Sequence, residues 1–73
     1  MNRLPFSDIF QSGFNLFLVK QSFRVQGITI PKGFEFPRDS VLCGMDWALF
    51  SGYDLVTEVE DGAHTILGIL KKV

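Results

Sequence analysis

The sequence has few of the residues that form disulfides or structural metal sites, which stabilise many small domains. It contains one cysteine, Cys43, and one histidine, His64, among 73 residues. One thiol cannot form an internal disulfide, and one Cys with one His falls short of the four ligands of a structural zinc site. A chain this short buries only about 60% of the surface that its unfolded form exposes. We therefore expect no bound metal, and we expect association with another chain to supply the missing stability.

The sequence also lacks a surplus of either charge, a long apolar run and a phosphate-binding loop. Seven Lys and Arg against eight Asp and Glu give a net charge of −1, which weighs against an electrostatic nucleic-acid site. The apolar run of residues 16–19 is too short to cross a bilayer, and no signal-peptide pattern is present. No Gly-rich nucleotide motif occurs. We expect no cofactor and no membrane partner, and a protein that works in the cytoplasm or is assembled from it into a virion.

Apolar residues, by contrast, are abundant. The composition is 47% hydrophobic and includes eight Phe. A single domain over residues 1–73 has little interior volume for eight rings. The composition therefore favours a homo-oligomer or a protein partner, and the alternative is a compact monomer with a Phe-rich core.

The N-terminal half combines a helical pattern with several strand patterns. Its first apolar residues recur at spacings of three and four: Phe6, Ile9, Phe10, Phe14 and Phe17. This spacing predicts an amphipathic helix over residues 5–12. Residues 14–19 fit either period, and we favour a strand there. The alternation in residues 23–26, 28–30 and 34–36 predicts strands, with a bulge or tight bend at Gly27 and a second hairpin turning at residues 31–33.

The segment from Val41 to Phe50 predicts a second, shorter helix. Asp39 or Ser40 can cap its start and Gly52 can close its end. Gly44 in its middle is expected to cost about 1 kcal/mol relative to Ala.

The C-terminal pattern predicts an antiparallel hairpin over Tyr53 to Lys72, with a type I′ turn at Asp61-Gly62. Regular pairing outward from this turn places Leu55 opposite Gly68. The face predicted to lie on the core holds Tyr53, Leu55, Thr57, Val59, His64, Ile66 and Leu70. Val56, Leu67 and Ile69 would then form a second apolar cluster on the opposite face. The predicted class is α+β: a small, mostly antiparallel sheet of two hairpins with an N-terminal and a middle helix.

Catalytic and binding alternatives rest on few residues. Cys43 with His64 is the only pair suited to nucleophilic catalysis, and a thiol in an apolar stretch more often packs as a small hydrophobe. An alternative to an interaction module is a small-molecule or vestigial enzyme pocket lined by Cys43, Trp47, Tyr53 and His64. A weaker alternative is single-stranded nucleic-acid binding, in which Lys20, Arg24, Lys32 and Arg38 lie among Phe23, Phe34 and Phe36.

Residues 16–50 resemble a phage-associated family of uncharacterised proteins with the signature VPxGFxTDxxSVPR, followed by a Trp-containing helix and a His-Asp pair. The matching residues are Ile30-Pro31-Lys32-Gly33-Phe34, Ser40-Val41, Trp47 and Phe50. Pro37 stands where the family has Asp, Leu42-Cys43 where it has Pro-Arg, and Thr65 follows His64 in place of Asp. The resemblance implies a phage origin and supplies no site residues.

These observations predict a non-enzymatic interaction or assembly module that acts through a homo-oligomer or a protein partner. The residues expected at its interface are Phe6, Phe10, Phe14, Val56, Leu67 and Ile69.

Overall fold

Strands rather than helices build the scaffold. The computed structural model describes residues 1–71. Strands account for 52% and helical residues for 10%, and no helix in that part of the chain reaches seven residues. The predicted α+β class is therefore wrong, and the protein is a mostly β domain. The strands are β1 Asn2–Pro5, β2 Phe10–Ser12, β3 Leu16–Val19, β4 Phe23–Val25, β5 Ile28–Ile30, β6 Glu35–Pro37, β7 Asp54–Glu60 and β8 Ala63–Leu70, and the two 3₁₀ helices are Phe6–Asp8 and Trp47–Phe50.

The strands form two sheets. The larger has the order β1-β7-β8-β4-β5 and the smaller the order β2-β3-β6. Adjacent strands are antiparallel except β4 and β8, which pair in parallel at Phe23–His64 and Arg24–Thr65. Neither 3₁₀ helix, nor any other helix in residues 1–71, has the length and apolar character needed to cross a membrane.

The N-terminal helix predicted for residues 5–12 is wrong. A single 3₁₀ turn over Phe6–Asp8 is followed at once by β2. The turn and the start of the strand together bury Phe6, Ile9 and Phe10, which reproduces helical spacing without a helix. The backbone groups of β2 pair with β3 instead, with Phe10 opposite Val19. The strand predicted for residues 14–19 is confirmed as β3.

The middle helix is also wrong, because a reverse turn interrupts it. Leu42 and Met45 exchange two backbone hydrogen bonds of 2.9 and 3.1 Å around the pair Cys43-Gly44. Both residues of the pair have positive φ, +54° and +77°, a conformation incompatible with an α-helix. Only the 3₁₀ helix Trp47–Phe50 remains of the predicted element.

The second hairpin turns at a different place from the one predicted. Gln26-Gly27 connects β4 to β5, with Val25 opposite Ile28, so the tight bend at Gly27 is confirmed. The turn at Pro31 also forms, since the Phe34 amide donates to the Pro31 carbonyl at 3.2 Å. However, that turn carries the chain from β5 in the larger sheet to β6 in the smaller one.

The Asp61-Gly62 hairpin is confirmed, with φ of +51° and +79° as a type I′ turn requires. Its predicted end at Lys72 lies outside the described residues. A β-bulge interrupts the ladder: Thr57 faces Ile66, whereas Val56 faces Gly68. The predicted opposition of Leu55 and Gly68 is therefore wrong.

The bulge changes which side chains reach the core. Leu67 is the extra residue, so Leu55 faces Ile69. Ile69 packs against the core, while Leu67 and Leu70 are exposed. Val59, near the turn, is exposed as well. In the second apolar cluster predicted for Val56, Leu67 and Ile69, Ile69 thus packs against the core, whereas Leu67 is exposed and Val56 is half-buried.

Aromatic rings form most of the core. Phe10 lies at its centre, with ring centroids 4.6 Å from Phe6, 5.1 Å from Phe23 and 5.1 Å from Trp47. Rings at these separations attract one another beyond their shared burial. The remaining members of the core are Ile9, Phe17, Val19, Val25, Ile30, Phe36 and Leu55. This interior takes up rings that the composition alone suggested would remain exposed.

Candidate protein-binding groove

An apolar groove of about 480 Å³ lies beside the last part of β8. Its lining comes from β4 and the turn that follows it, from Met45 and the second 3₁₀ helix, and from the bulged part of β8. We call it the β8 groove, and its lining residues are Val25, Gln26, Met45, Phe50, Ile66, Leu67, Gly68 and Ile69.

Local structure explains why this groove is open. β4 ends at Val25, because Gln26-Gly27 turns the chain back into β5. β8 continues for several residues past the point where β4 leaves it. Met45 and Phe50, which belong to the segment displaced by the Cys43-Gly44 turn, form the opposite side. Two turns, at Gln26-Gly27 and Cys43-Gly44, and the bulge at Leu67 therefore create the groove.

The interface residues expected from the sequence separate into three groups. Leu67 and Ile69 line the β8 groove, as an interface would require. Phe6 and Phe10 are buried inside the chain at 4% and 1% exposure, so they offer little surface to a partner. Phe14, 94% exposed, lies in the loop between β2 and β3. Val56 is half-buried on β7.

The four residues of the predicted pocket do not share a cavity. Trp47 is fully buried, and its indole N–H donates to the Leu42 carbonyl at 3.0 Å. Tyr53 lines a different cavity of about 310 Å³ together with Phe6, Ser7, Phe10, Gln11, Ser12, Ser51 and Gly52. Cys43 occupies a turn and packs against the core. No group of three or more His, Cys, Asp and Glu side chains within residues 1–71 is placed to hold a metal ion.

His64 belongs to a hydrogen-bonded relay. The Gln21 amide nitrogen donates to the Asp8 carbonyl at 2.9 Å, which leaves the Gln21 Oε1 to accept from His64 Nε2 at 3.0 Å. The other ring nitrogen, Nδ1, then accepts from the Thr57 hydroxyl at 3.2 Å. This arrangement sets the tautomer of the neutral ring. It ties the C-terminal hairpin to the first 3₁₀ helix and engages both nitrogens.

Replacing threonine with valine is expected to have opposite effects on the free energy of unfolding at two positions of this hairpin. Thr57 is fully buried and donates to His64, whereas the buried Thr65 hydroxyl has no hydrogen-bond partner among residues 1–71. Thr57→Val should lower the free energy of unfolding by about 1–2 kcal/mol. Thr65→Val should leave it unchanged or raise it by up to about 1 kcal/mol, because it removes an unsatisfied buried hydroxyl. Urea unfolding of both variants checks this difference, and equal destabilisation would contradict the relay.

The positions of the basic and aromatic residues do not support nucleic-acid stacking. Phe23 and Phe36 are buried, so Phe34 is the one ring of the three with substantial exposure. Arg24 donates to Thr29, and Arg38 lies over the Phe17 ring at 5.1 Å. A stacking platform for bases needs successive exposed rings.

Comparison of the chain with protein-family models, with curated proteins and with solved structures finds no match. The phage origin implied by the resemblance of residues 16–50 accordingly stays a prediction.

Proposed function

We propose that the protein is a non-enzymatic interaction module that binds a short apolar segment of a partner protein in the β8 groove. The observation that carries this proposal is the groove itself, which is lined by apolar side chains and left open where β4 turns away from β8. Concave apolar surface of this kind is the usual place for ligands to dock. Leu67, 52% exposed, stands at the groove and is available for contact.

The positions of the phenylalanines favour a partner protein over a second copy. Self-association was expected because eight rings seemed too many for one core. Five of the eight phenylalanines are buried in the chain, and Phe50 packs against them. Most of the rings therefore need no second copy to cover them. In addition, eight residues line the groove, whereas a standard protein–protein interface uses roughly 20–30 residues a side. A short segment matches this size.

The state of the reactive side chains supports a role without catalysis. Both His64 nitrogens take part in hydrogen bonds inside the chain, and Cys43 occupies a turn. A general base needs a free nitrogen within hydrogen-bond reach of its substrate and its nucleophile. Among the residues of the described chain that line the groove, moreover, none is titratable.

A peptide selection tests the proposal directly. A displayed library of random 12-residue peptides is selected on the immobilised protein, and the affinities of selected peptides are measured by fluorescence anisotropy. We expect Leu67→Lys to weaken their binding at least about tenfold, because it places a charge at an apolar docking surface. The matched control is Leu49→Lys, since Leu49 is 67% exposed and lies outside the groove lining; its affinity should be unchanged.

Two outcomes would overturn the proposal. One is that no selected peptide distinguishes Leu67→Lys from Leu49→Lys. The other is a dimer in light scattering that Leu67→Lys dissociates, which would place a second copy of the chain in the groove.

A further inference from the structure

The two edges of β8 differ in how far they are paired. On one side β7 accompanies β8 from Ala63 to Leu70. On the other side β4 pairs only at His64 and Thr65 and then turns away. Within the described chain, residues 67–70 therefore have a strand on one edge alone. In such a strand, backbone N–H and C=O groups of alternate residues point away from the existing partner, here toward the side where the groove lies.

Gly68 is the second observation, and it concerns the floor of the groove. Its φ lies outside the left-handed region, and a Cβ built at this position would have no atom within 4 Å. Neither the backbone conformation nor packing within the chain therefore requires glycine. Glycine inside a strand destabilises it relative to alanine, and it often marks a bulge, as beside Leu67 here, or a place where another backbone or a ligand approaches closely.

We infer that the partner segment binds as an added β-strand along residues 67–70 of β8, with its backbone passing close to Gly68. This inference rests on the proposed function and specifies the partner's conformation. An extended chain satisfies the outward backbone groups of β8, as no helix can. Its alternate side chains enter the apolar groove against Val25, Met45 and Phe50. The partner is accordingly a segment in which every second residue is apolar.

The bound conformation of one peptide tests the inference. The probe is the tightest groove-binding peptide from the random 12-residue library. A substitution at Gly68 would not obstruct an added strand, because strand side chains stand perpendicular to the sheet, so the test acts on the backbone of the peptide.

Backbone modification and hydrogen exchange report on the bound conformation. In the same peptide, N-methylation should weaken binding at every second amide and be tolerated at the amides between. Binding should also slow exchange of outward-facing amides in residues 67–70 at least about tenfold. A helical bound peptide, or uniform tolerance of N-methylation, would overturn the added strand while leaving the groove proposal intact. A library that yields no groove-binding peptide would overturn both.

Discussion

Replacing Phe10 with alanine is expected to lower the free energy of unfolding by about 3–5 kcal/mol. Phe10 is 1% exposed, and its ring lies within 6.0 Å, centroid to centroid, of five other aromatic rings. The truncation removes all of these contacts at once and leaves a cavity that strands from both sheets cannot easily close. At roughly 0.05–0.15 kcal/mol per residue, the whole domain has a stability of about 4–11 kcal/mol. A stability at the lower end of this range leaves the variant largely unfolded at room temperature, whereas one at the upper end leaves it folded but less stable.

Phe14→Ala is the matched control for this experiment. The two phenylalanines are four residues apart, and both belong to the apolar spacing from which the helix over residues 5–12 was predicted. Phe14 is 94% exposed, so its truncation should change the free energy of unfolding by no more than about 0.5 kcal/mol. Urea unfolding followed by circular dichroism measures both values. Similar losses for Phe10→Ala and Phe14→Ala would contradict the central position of Phe10 in the core.

Replacing Trp47 with alanine should have an effect of similar size, about 3–5 kcal/mol. Its side chain is fully buried against Phe10 and Phe23, and its N–H donates to the Leu42 carbonyl. The truncation creates a cavity and removes the bond that holds the second 3₁₀ helix to the Cys43-Gly44 turn. Because Trp47 also supports Phe50, the wall of the β8 groove should loosen with it.

Two companion variants separate packing from hydrogen bonding at Trp47. Trp47→Phe keeps most of the ring but loses the donor, so a smaller loss of about 1–2 kcal/mol is expected. Leu49→Ala alters the same 3₁₀ helix at a side chain that is 67% exposed, and should cost no more than about 0.5 kcal/mol. Circular dichroism monitors unfolding of all three. A Trp47→Ala variant within 1 kcal/mol of wild type would contradict the central position of this ring.

Local patterns predicted some elements of the fold and failed on others for identifiable reasons. β4 and β5 lie where alternation placed them, and β3 lies in the segment that fitted either period and was predicted as a strand. The helix over residues 5–12 failed because a 3₁₀ turn followed by a strand buries residues at the same spacing as a helix. The middle helix failed because Cys43-Gly44 was not recognised as a turn. Cys is not a residue that favours positive φ, and the destabilising Gly44 was the one local signal against a helix.

Part of the candidate site was also predictable. The sequence placed Leu67 and Ile69 in a second apolar cluster and predicted them at an interface. Both line the β8 groove. Their partners Met45 and Phe50 were missed, because they were assigned to a helix whose position relative to β8 was unknown. Gly68 was missed because the hairpin was predicted to pair regularly, without the bulge that precedes Gly68.

The hairpin at Asp61-Gly62 was determined by the sequence alone, since steric limits on φ act on two adjacent residues and leave few other conformations for an Asp-Gly pair. Only the tertiary structure decided the bulge at Leu67, the parallel pairing of β4 with β8 and the end of that pairing at Thr65. The parallel pairing depends on the backbone groups of Phe23 and His64, which are far apart in the chain, finding one another. Such pairing is set by the packing of the whole core, which no local pattern records.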